Sequence, residues 1–185
     1  CRAKSRLEIG TGGLGRTGFE TPDTSWSCWP GENVVTVYDY DVFETRFGWM
    51  GVVASINGLC RTTLPQNSPE ECLMRLGFDT FEFTHSPGRF TGLVDRLSRY
   101  FDGENVDIDY QDIDVSDASS FERISWTVCR TIRYGETRTY KWLAIKTGRP
   151  KAPRAAGQAM ARNRLPIIVP CHRVLASDGQ LRVFG

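Results

Sequence analysis

The sequence LPIIVPCHRV, at residues 165–174, decides how the rest of this 185-residue chain is interpreted. Its two prolines, Pro166 and Pro170, bracket three branched apolar residues. Proline disfavours the α region for the residue before it, so the pattern predicts a short extended segment that is buried by its Ile-Ile-Val run. The segment ends in Cys171, which is followed by the imidazole of His172 and the guanidinium of Arg173.

Cys171 lies in a setting that favours a reactive thiol. A neighbouring base and a positive charge favour the thiolate, which is the nucleophilic form of cysteine. The alternative is a buried and inert cysteine, the usual role of a lone cysteine in a protein core. The residue types alone give the two interpretations about equal weight.

The motif PCHRV at residues 170–174, preceded by Asn163 and followed by SDG at residues 177–179, breaks this tie. It resembles the active-site segment of the O6-alkylguanine-DNA alkyltransferases, also called methylated-DNA–protein-cysteine methyltransferases. The resemblance extends upstream through YGETRTY at residues 134–140 and RAAGQAM at residues 154–160. It is specific over roughly residues 119–181 and faint before them.

The resemblance implies an enzyme of DNA repair by direct reversal. The alkyl group of O6-alkylguanine in double-stranded DNA would be transferred irreversibly to a cysteine of the protein, in a single turnover that needs no cofactor. By match to the family motif, Cys171 is the acceptor and His172 helps to deprotonate it. Tyr140 would donate to the guanine ring as the leaving group acquires charge; the alternative is that Tyr140 only caps an edge of the core.

The resemblance also implies a DNA-binding surface. The helix over residues 153–160 would lie in the minor groove, with Arg154 filling the gap left by a flipped nucleotide and Asn163 bracing the active-site turn. The other residues assigned in this way are Ala155, Gly157 and Arg162 for DNA binding and Val174, Ser177 and Phe184 for the substrate pocket. The small side chains of this helix have an alternative explanation, which is close packing against a neighbouring helix.

Charge divides the chain, although the net charge is only +1. Residues 1–118 hold 10 Lys and Arg against 19 Asp and Glu, whereas residues 119–185 hold 13 against 3, a balance of +10. The basic part predicts a polyanionic partner. Electrostatic docking of the two parts is an alternative that is compatible with DNA binding.

The six cysteines form no CxxC pair, and no apolar run approaches the ~18 residues of a membrane span. We therefore expect a reducing compartment and no membrane partner: the cytoplasm, with the nucleoid, for a prokaryotic protein and the nucleus for a eukaryotic one. We also expect a monomer. No set of cysteines and histidines at ligand spacing predicts a metal site, and His85 is predicted to be a solvated loop residue.

The predicted fold class is α/β (α+β) in three parts. A flexible leader covers residues 1–33, a small α/β domain (ribonuclease-H-like by resemblance) covers 34–117, and a winged helix-turn-helix-like domain with the reactive cysteine covers 118–185. The predicted elements are a strand at 34–43, a hairpin around Asn57-Gly58, a helix opening at Ser68-Pro69, a strand at 81–83, a helix at 90–101, a strand at 106–110, helices at 119–133, 140–147 and 153–160, and a wing from 167–169 and the turn after it.

Two departures from the family pattern bear on reactivity. Arg182 stands where the family usually has glycine, which predicts a more crowded alkyl pocket. The family also has a glutamate, on a following helix, that orients the catalytic histidine, and we expect this chain to be truncated before that helix. The hypothesis is that the chain binds alkylated DNA but transfers the alkyl group slowly.

Two other functions compete with repair. One is a non-catalytic relative that binds alkylated DNA, which the absent glutamate favours and the intact Cys171 disfavours. The other is a helix-turn-helix transcription regulator, which would read bases with long side chains on its recognition helix. The helix at residues 153–160 is mostly alanine and glycine, so the repair enzyme remains the leading interpretation.

We predict that DNA binding tolerates different sequences and weakens strongly with salt. Each contact between a phosphate and a Lys or Arg releases counterions, so log K should fall linearly with log salt, with a slope of about −0.9 per neutralised phosphate. Fluorescence anisotropy with two unrelated duplexes at several salt concentrations measures both properties. Salt-independent binding, or a strong preference for one duplex, would contradict the prediction.

Overall fold

The computed structural model describes residues 37–77, 83–108 and 112–181, so the predicted leader at 1–33 lies outside the described residues. The fold is mixed α/β, as predicted. Its strands are β1 Tyr38–Thr45, β2 Gly48–Ser55, β3 Gly58–Thr62, β4 Phe83–His85, β5 Arg138–Thr139 and β6 Val174–Leu175. Its helices are α1 Pro69–Leu76, α2 Pro87–Phe101, α3 Ser120–Arg130, α4 Tyr140–Lys146 and α5 Pro153–Ala161, and Cys171–Arg173 form a single 3₁₀ turn.

The larger sheet has the order β3-β2-β1-β4, with β1 antiparallel to β2 and parallel to β4. The predicted hairpin at Asn57-Gly58 joins β2 to β3. Gly58 has φ 145°, and a Cβ there would lie 2.5 Å from the backbone oxygen of Asp112, so the segment after α2 crosses β3 at a position that only glycine accommodates. The contact is fixed because Leu59 N–H donates to the Asp112 carbonyl at 2.8 Å.

The strand predicted at residues 106–110 is wrong where the structure describes it, because residues 106–108 form no ladder. The β-bridge to Leu59 falls instead on Ile113. Alternating apolar residues therefore marked burial here without strand pairing, and Ile108 is buried in the core. His85 also differs from its prediction: it lies in β4, and its Nε2 is 3.1 Å from Asp41 Oδ1.

Local sequence signals explain where the helices begin and end. Ser68 accepts a hydrogen bond from Glu71 N–H at the start of α1, and Thr139 does the same for Trp142 at the start of α4. Ser119 and Glu122 form a reciprocal capping box at the start of α3. Unlike the prediction, α3 ends at Arg130.

The buried face of α3 also differs from the predicted one. Ile124 is 48% exposed, whereas Ser125, Trp126 and Cys129 are buried. The indole N–H of Trp126 donates to the Ala159 carbonyl of α5 at 2.8 Å, and this contact centres the buried face on Trp126. Packing against α5 therefore rotates the apolar face by about one residue from the predicted stripe.

One hydrophobic core runs through both halves of the chain. It includes Met50 and Val52 of β2, Leu97 of α2, Trp126 of α3 and Val169 before the reactive segment. Backbone contacts cross between the halves as well, since Thr62 N–H donates to the Arg164 carbonyl at 2.9 Å and Thr62 Oγ1 donates to the Pro166 carbonyl at 3.0 Å. The reactive segment is thus bonded to the end of β3.

Residues 165–169 form a tight turn, so the extended segment predicted there is wrong. Val169 N–H donates to the Leu165 carbonyl at 2.8 Å, and Ile167 has φ 75°, a left-handed conformation that β-branched residues rarely adopt. Each proline restricts only the residue before it, and this leaves the Ile167–Ile168 pair able to turn. The wing predicted from residues 167–169 is wrong for the same reason, and the strand beside the cysteine is β6, parallel to β5.

Asn163 closes this turn with both ends of its amide. Its Nδ2 donates to the Val169 carbonyl at 2.9 Å, and its Oδ1 accepts from Leu165 N–H at 3.0 Å. Cys171 N–H donates to the same Val169 carbonyl at 2.8 Å. Asn163 and the backbone of Cys171 therefore share one acceptor, and the turn sets the position of the cysteine.

Within the described ranges, no helix is long and apolar enough to cross a membrane. The same part of the chain contains no group of three or more His, Cys, Asp or Glu side chains that could hold a metal ion.

We predict that Asn163→Ala destabilises the protein by about 1–3 kcal/mol, because it leaves the buried Leu165 N–H without its acceptor. Asn163→Asp should cost at least as much at pH 7, since its second oxygen would face the Val169 carbonyl. Urea unfolding measures both variants. Asn105→Ala, at an exposed asparagine, is the control and should stay within about 0.5 kcal/mol. Equal stability of all three variants would remove the bracing role.

Candidate active site around Cys171

Cys171 begins the 3₁₀ turn that follows buried Pro170, and it is half-buried. One side of the residue packs against the hydrophobic core. The other described cysteines, Cys60, Cys72 and Cys129, are all buried. Cys171 is therefore the accessible thiol among the described cysteines, which favours the reactive interpretation over the inert one.

Cys129 shows the contrasting behaviour of a core cysteine. Burial raises the pKa of its thiol well above the ordinary value, and the negative charge that Cys171 carries as a thiolate acts in the same direction. Cys129 is fully buried. A protonated and inaccessible thiol is a poor nucleophile, so chemistry at this end of the molecule falls to Cys171.

His172 lies at the surface beside the thiol. Although the residue is exposed, desolvation by the surrounding protein holds the pKa of its imidazole below the ordinary value, and the positive charge of Arg173 lowers that pKa further. The ring is thus neutral at pH 7 and able to accept a proton. Its Nε2 is 3.3 Å from the hydroxyl oxygen of Tyr100 in the last turn of α2.

Sequence reasoning missed Tyr100. The two residues are 72 positions apart, and Tyr100 lies in the half of the chain where the family resemblance is faint. Its position at the end of an amphipathic helix does not distinguish it from an ordinary surface aromatic residue. No sequence signal would have found this contact.

Arg173 is fixed in position by two contacts. Its Nη1 donates to the Ile132 carbonyl at 2.8 Å, and its guanidinium lies 5.7 Å from the centroid of the Tyr134 ring. These contacts hold a positive charge in the reactive turn next to the thiol and the imidazole. The three side chains predicted from the motif PCHRV are therefore brought together.

Tyr140, the first residue of α4, is half-buried and contacts α5. A Cβ on Gly157 would lie 3.8 and 3.9 Å from two carbons of the Tyr140 ring, so the glycine allows close approach of the two helices. Ala156 and Ala159 are buried between the helices. For these small residues the packing alternative is the correct one.

The outer face of α5 carries polar side chains. Arg154, Gln158 and Arg162 are exposed and Ala155 is half-buried. Arg162 donates to Glu122 Oε1 at 3.1 Å while keeping 62% of its side chain exposed. The predicted DNA-binding residues thus share one helix, except Asn163, which lies one residue beyond Arg162.

The predicted substrate-pocket residues are only partly described. Val174 is buried in β6, Ser177 is exposed in the turn after it, and Phe184 and Arg182 lie outside the described residues. A cavity of about 560 Å³ lies beside the site, between residues 105–108 and 130–134, with Pro170 and Arg173 also in its wall. Cys171 does not line this cavity, so the cavity is not the predicted alkyl pocket.

The chain resembles known proteins over most of its length. A family model described as 6-O-methylguanine DNA methyltransferase, DNA binding domain, matches residues 120–185. The methylated-DNA–protein-cysteine methyltransferase of Mycolicibacterium paratuberculosis is 38% identical over 128 residues, which are 66% of this chain and 76% of that protein. The protein of the same name from Methanosarcina acetivorans is 43% identical over 142 residues, 77% of this chain and 86% of that protein.

Solved structures agree with these relatives. The crystal structure of Mycobacterium tuberculosis OGT in complex with DNA superposes with a TM-score of 0.61 at 34% identity, and the match covers 80% of this chain and 84% of that one. The match spans both the sheet and the helices around Cys171, beyond the region matched by the family model. The chain belongs to the methylated-DNA–protein-cysteine methyltransferase family.

Proposed function

We propose that this chain repairs DNA by direct reversal and that Cys171 accepts the alkyl group of O6-alkylguanine. The observation that carries the proposal is the half-buried Cys171 thiol on a braced turn, with His172 and Arg173 beside it. In the reaction, the thiolate sulfur attacks the alkyl carbon, a C–S bond forms and the C–O6 bond breaks. The electron pair of that bond passes to the guanine, which is then protonated.

Three side chains have proposed roles in this step. His172 is the base that removes the Cys171 proton, which its lowered pKa permits at neutral pH. Tyr140 stabilises the charge that develops on the guanine. The product is a stable thioether, so each molecule reacts once and no cofactor takes part.

The proposed DNA interface lies on residues 118–185, which we interpret as a winged helix-turn-helix-like unit that binds double-stranded DNA as a monomer. The balance of +10 over residues 119–185 and the exposed cations of α5 support contact with phosphates. A base stacked in duplex DNA cannot reach a half-buried thiol, so the alkylated nucleotide must leave the stack. Arg154 is the residue that we propose to occupy the gap.

The short side chains of α5 argue against a regulator that reads base sequence. The exposed face of this helix offers Arg154, Gln158 and Arg162 among alanines and a glycine. Such a face allows close approach to the DNA backbone and offers few long side chains for base edges. Repair of a lesion in any sequence context requires this kind of binding.

We predict stoichiometric alkylation of Cys171. Incubation with duplex DNA containing O6-methylguanine should add one methyl group to the peptide that holds Cys171, as measured by mass spectrometry. Cys171→Ser should abolish transfer, whereas Cys129→Ala should still transfer because Cys129 is buried. Repeated turnover, or methylation mainly at another cysteine, would contradict the assignment.

We predict that Arg154→Ala reduces repair of duplex DNA by about tenfold or more, because unstacking a base costs a few kcal/mol that the arginine offsets. The same variant should react normally with free O6-methylguanine base, which needs no flipping. Lys151→Ala, at an exposed cation near the start of α5, controls for lost charge and should weaken binding without changing the ratio of the two rates. Equal losses on both substrates would remove Arg154 from the flipping role.

A further inference from the structure

Tyr100 is held in place by a cluster of aromatic rings next to the site. Its ring meets Phe101 edge-on at 5.6 Å and Tyr134 edge-on at 6.1 Å. Tyr134 in turn supports the guanidinium of Arg173. The hydroxyl that lies 3.3 Å from His172 Nε2 is therefore carried by a ring with a defined position.

We propose that Tyr100 is a positioning residue for alkyl transfer, whose phenol oxygen accepts a hydrogen bond from Nε2–H of His172 and fixes the tautomer in which Nδ1 takes the Cys171 proton. The inference rests on the function proposed above. A neutral imidazole carries its proton on one nitrogen and accepts at the other. Because Nε2 faces Tyr100, Nδ1 is the nitrogen that remains for the thiol.

The same contact stabilises the product of proton transfer. When the S–H bond of Cys171 breaks and an N–H bond forms at Nδ1, the imidazole becomes a cation. The bond from Nε2–H to the phenol oxygen is then charge-assisted and stronger. The proton leaves later to solvent, which the exposed ring contacts.

The charges around the imidazole act in opposite directions. The described titratable or charged groups that the contacts bring to this cluster are Tyr100 from α2, Tyr134 after α3, and Arg173 and Cys171 from the same turn. Arg173 lowers the pKa of His172, whereas a hydrogen bond accepted by Tyr100 raises it. Loss of the hydroxyl should therefore lower the pKa of His172 further.

Tyr100→Phe tests the proposal because it removes the hydroxyl and keeps the ring contacts. Tyr134→Phe is the matched control, since it removes a hydroxyl from the same cluster but none that contacts His172. Single-turnover transfer from free O6-methylguanine base is measured against pH for both variants. NMR titration of His172 gives its pKa and tautomer without activity, and His85→Gln assigns the signals because the chain has two histidines.

We expect Tyr100→Phe to react about three- to tenfold more slowly on the plateau, as the loss of one hydrogen bond predicts. The pKa of His172 should fall, and the pH at which the rate reaches half its plateau should fall with it. Tyr134→Phe should leave the rate within about twofold.

An unchanged rate and pKa in Tyr100→Phe would overturn the proposal. A rise in the pKa of His172 would also overturn it, because the phenol would then be donating to Nε2 and Nδ1 would carry the proton. If the unmodified protein transfers no alkyl group while Tyr100→Phe still lowers the pKa of His172, the proposed function fails and the hydrogen-bond assignment stands.

Discussion

The hydrogen bonds of the turn at residues 165–169 determine where the reactive cysteine lies. The turn is buried at Leu165, Ile168 and Val169, so its backbone groups need partners inside the protein. Asn163 supplies two of them, and Thr62 supplies a third by donating to the Pro166 carbonyl. Because Cys171 N–H shares the Val169 carbonyl with Asn163, a shift of the turn would move the thiol. The left-handed Ile167 is accommodated because bonds on both sides hold the chain.

The N-terminal half has a role at the site although it holds no catalytic motif of its own. The end of β3 contacts the turn through Thr62, and Asp117 forms an ion pair with Arg164 at the start of the turn. The end of α2 brings Tyr100 to His172. These contacts come from separate elements of one continuous core, so the sheet and α2 act as a support that orients the reactive segment. A helix-turn-helix unit alone would lack each of them.

The sequence predicted the features that depend on neighbouring residues. The ends of α1 and α4 follow from Ser68 and Thr139 as caps, and the hairpin follows from Asn57-Gly58, because each signal acts within a few residues. The residues of the motif PCHRV were found by resemblance, and the structure brings their side chains together. The turn at residues 165–169, the buried face of α3 and the contact of Tyr100 with His172 were not predicted. Each depends on partners far away in the chain, and proline rules or helical periodicity do not contain that information.

The charge division serves two purposes that differ in their exposure to solvent. Arg164 and Asp117 are mostly buried, with 17% and 21% of their side chains exposed, and their ion pair joins the basic and acidic halves. Arg154 and Lys151 are exposed on and beside α5, facing away from the core. Mobile ions screen exposed charges much more than buried ones, so salt weakens contacts of the second kind and leaves the first kind largely intact. Docking of the two halves and attraction of a polyanion are therefore compatible in one chain, because they use different cations.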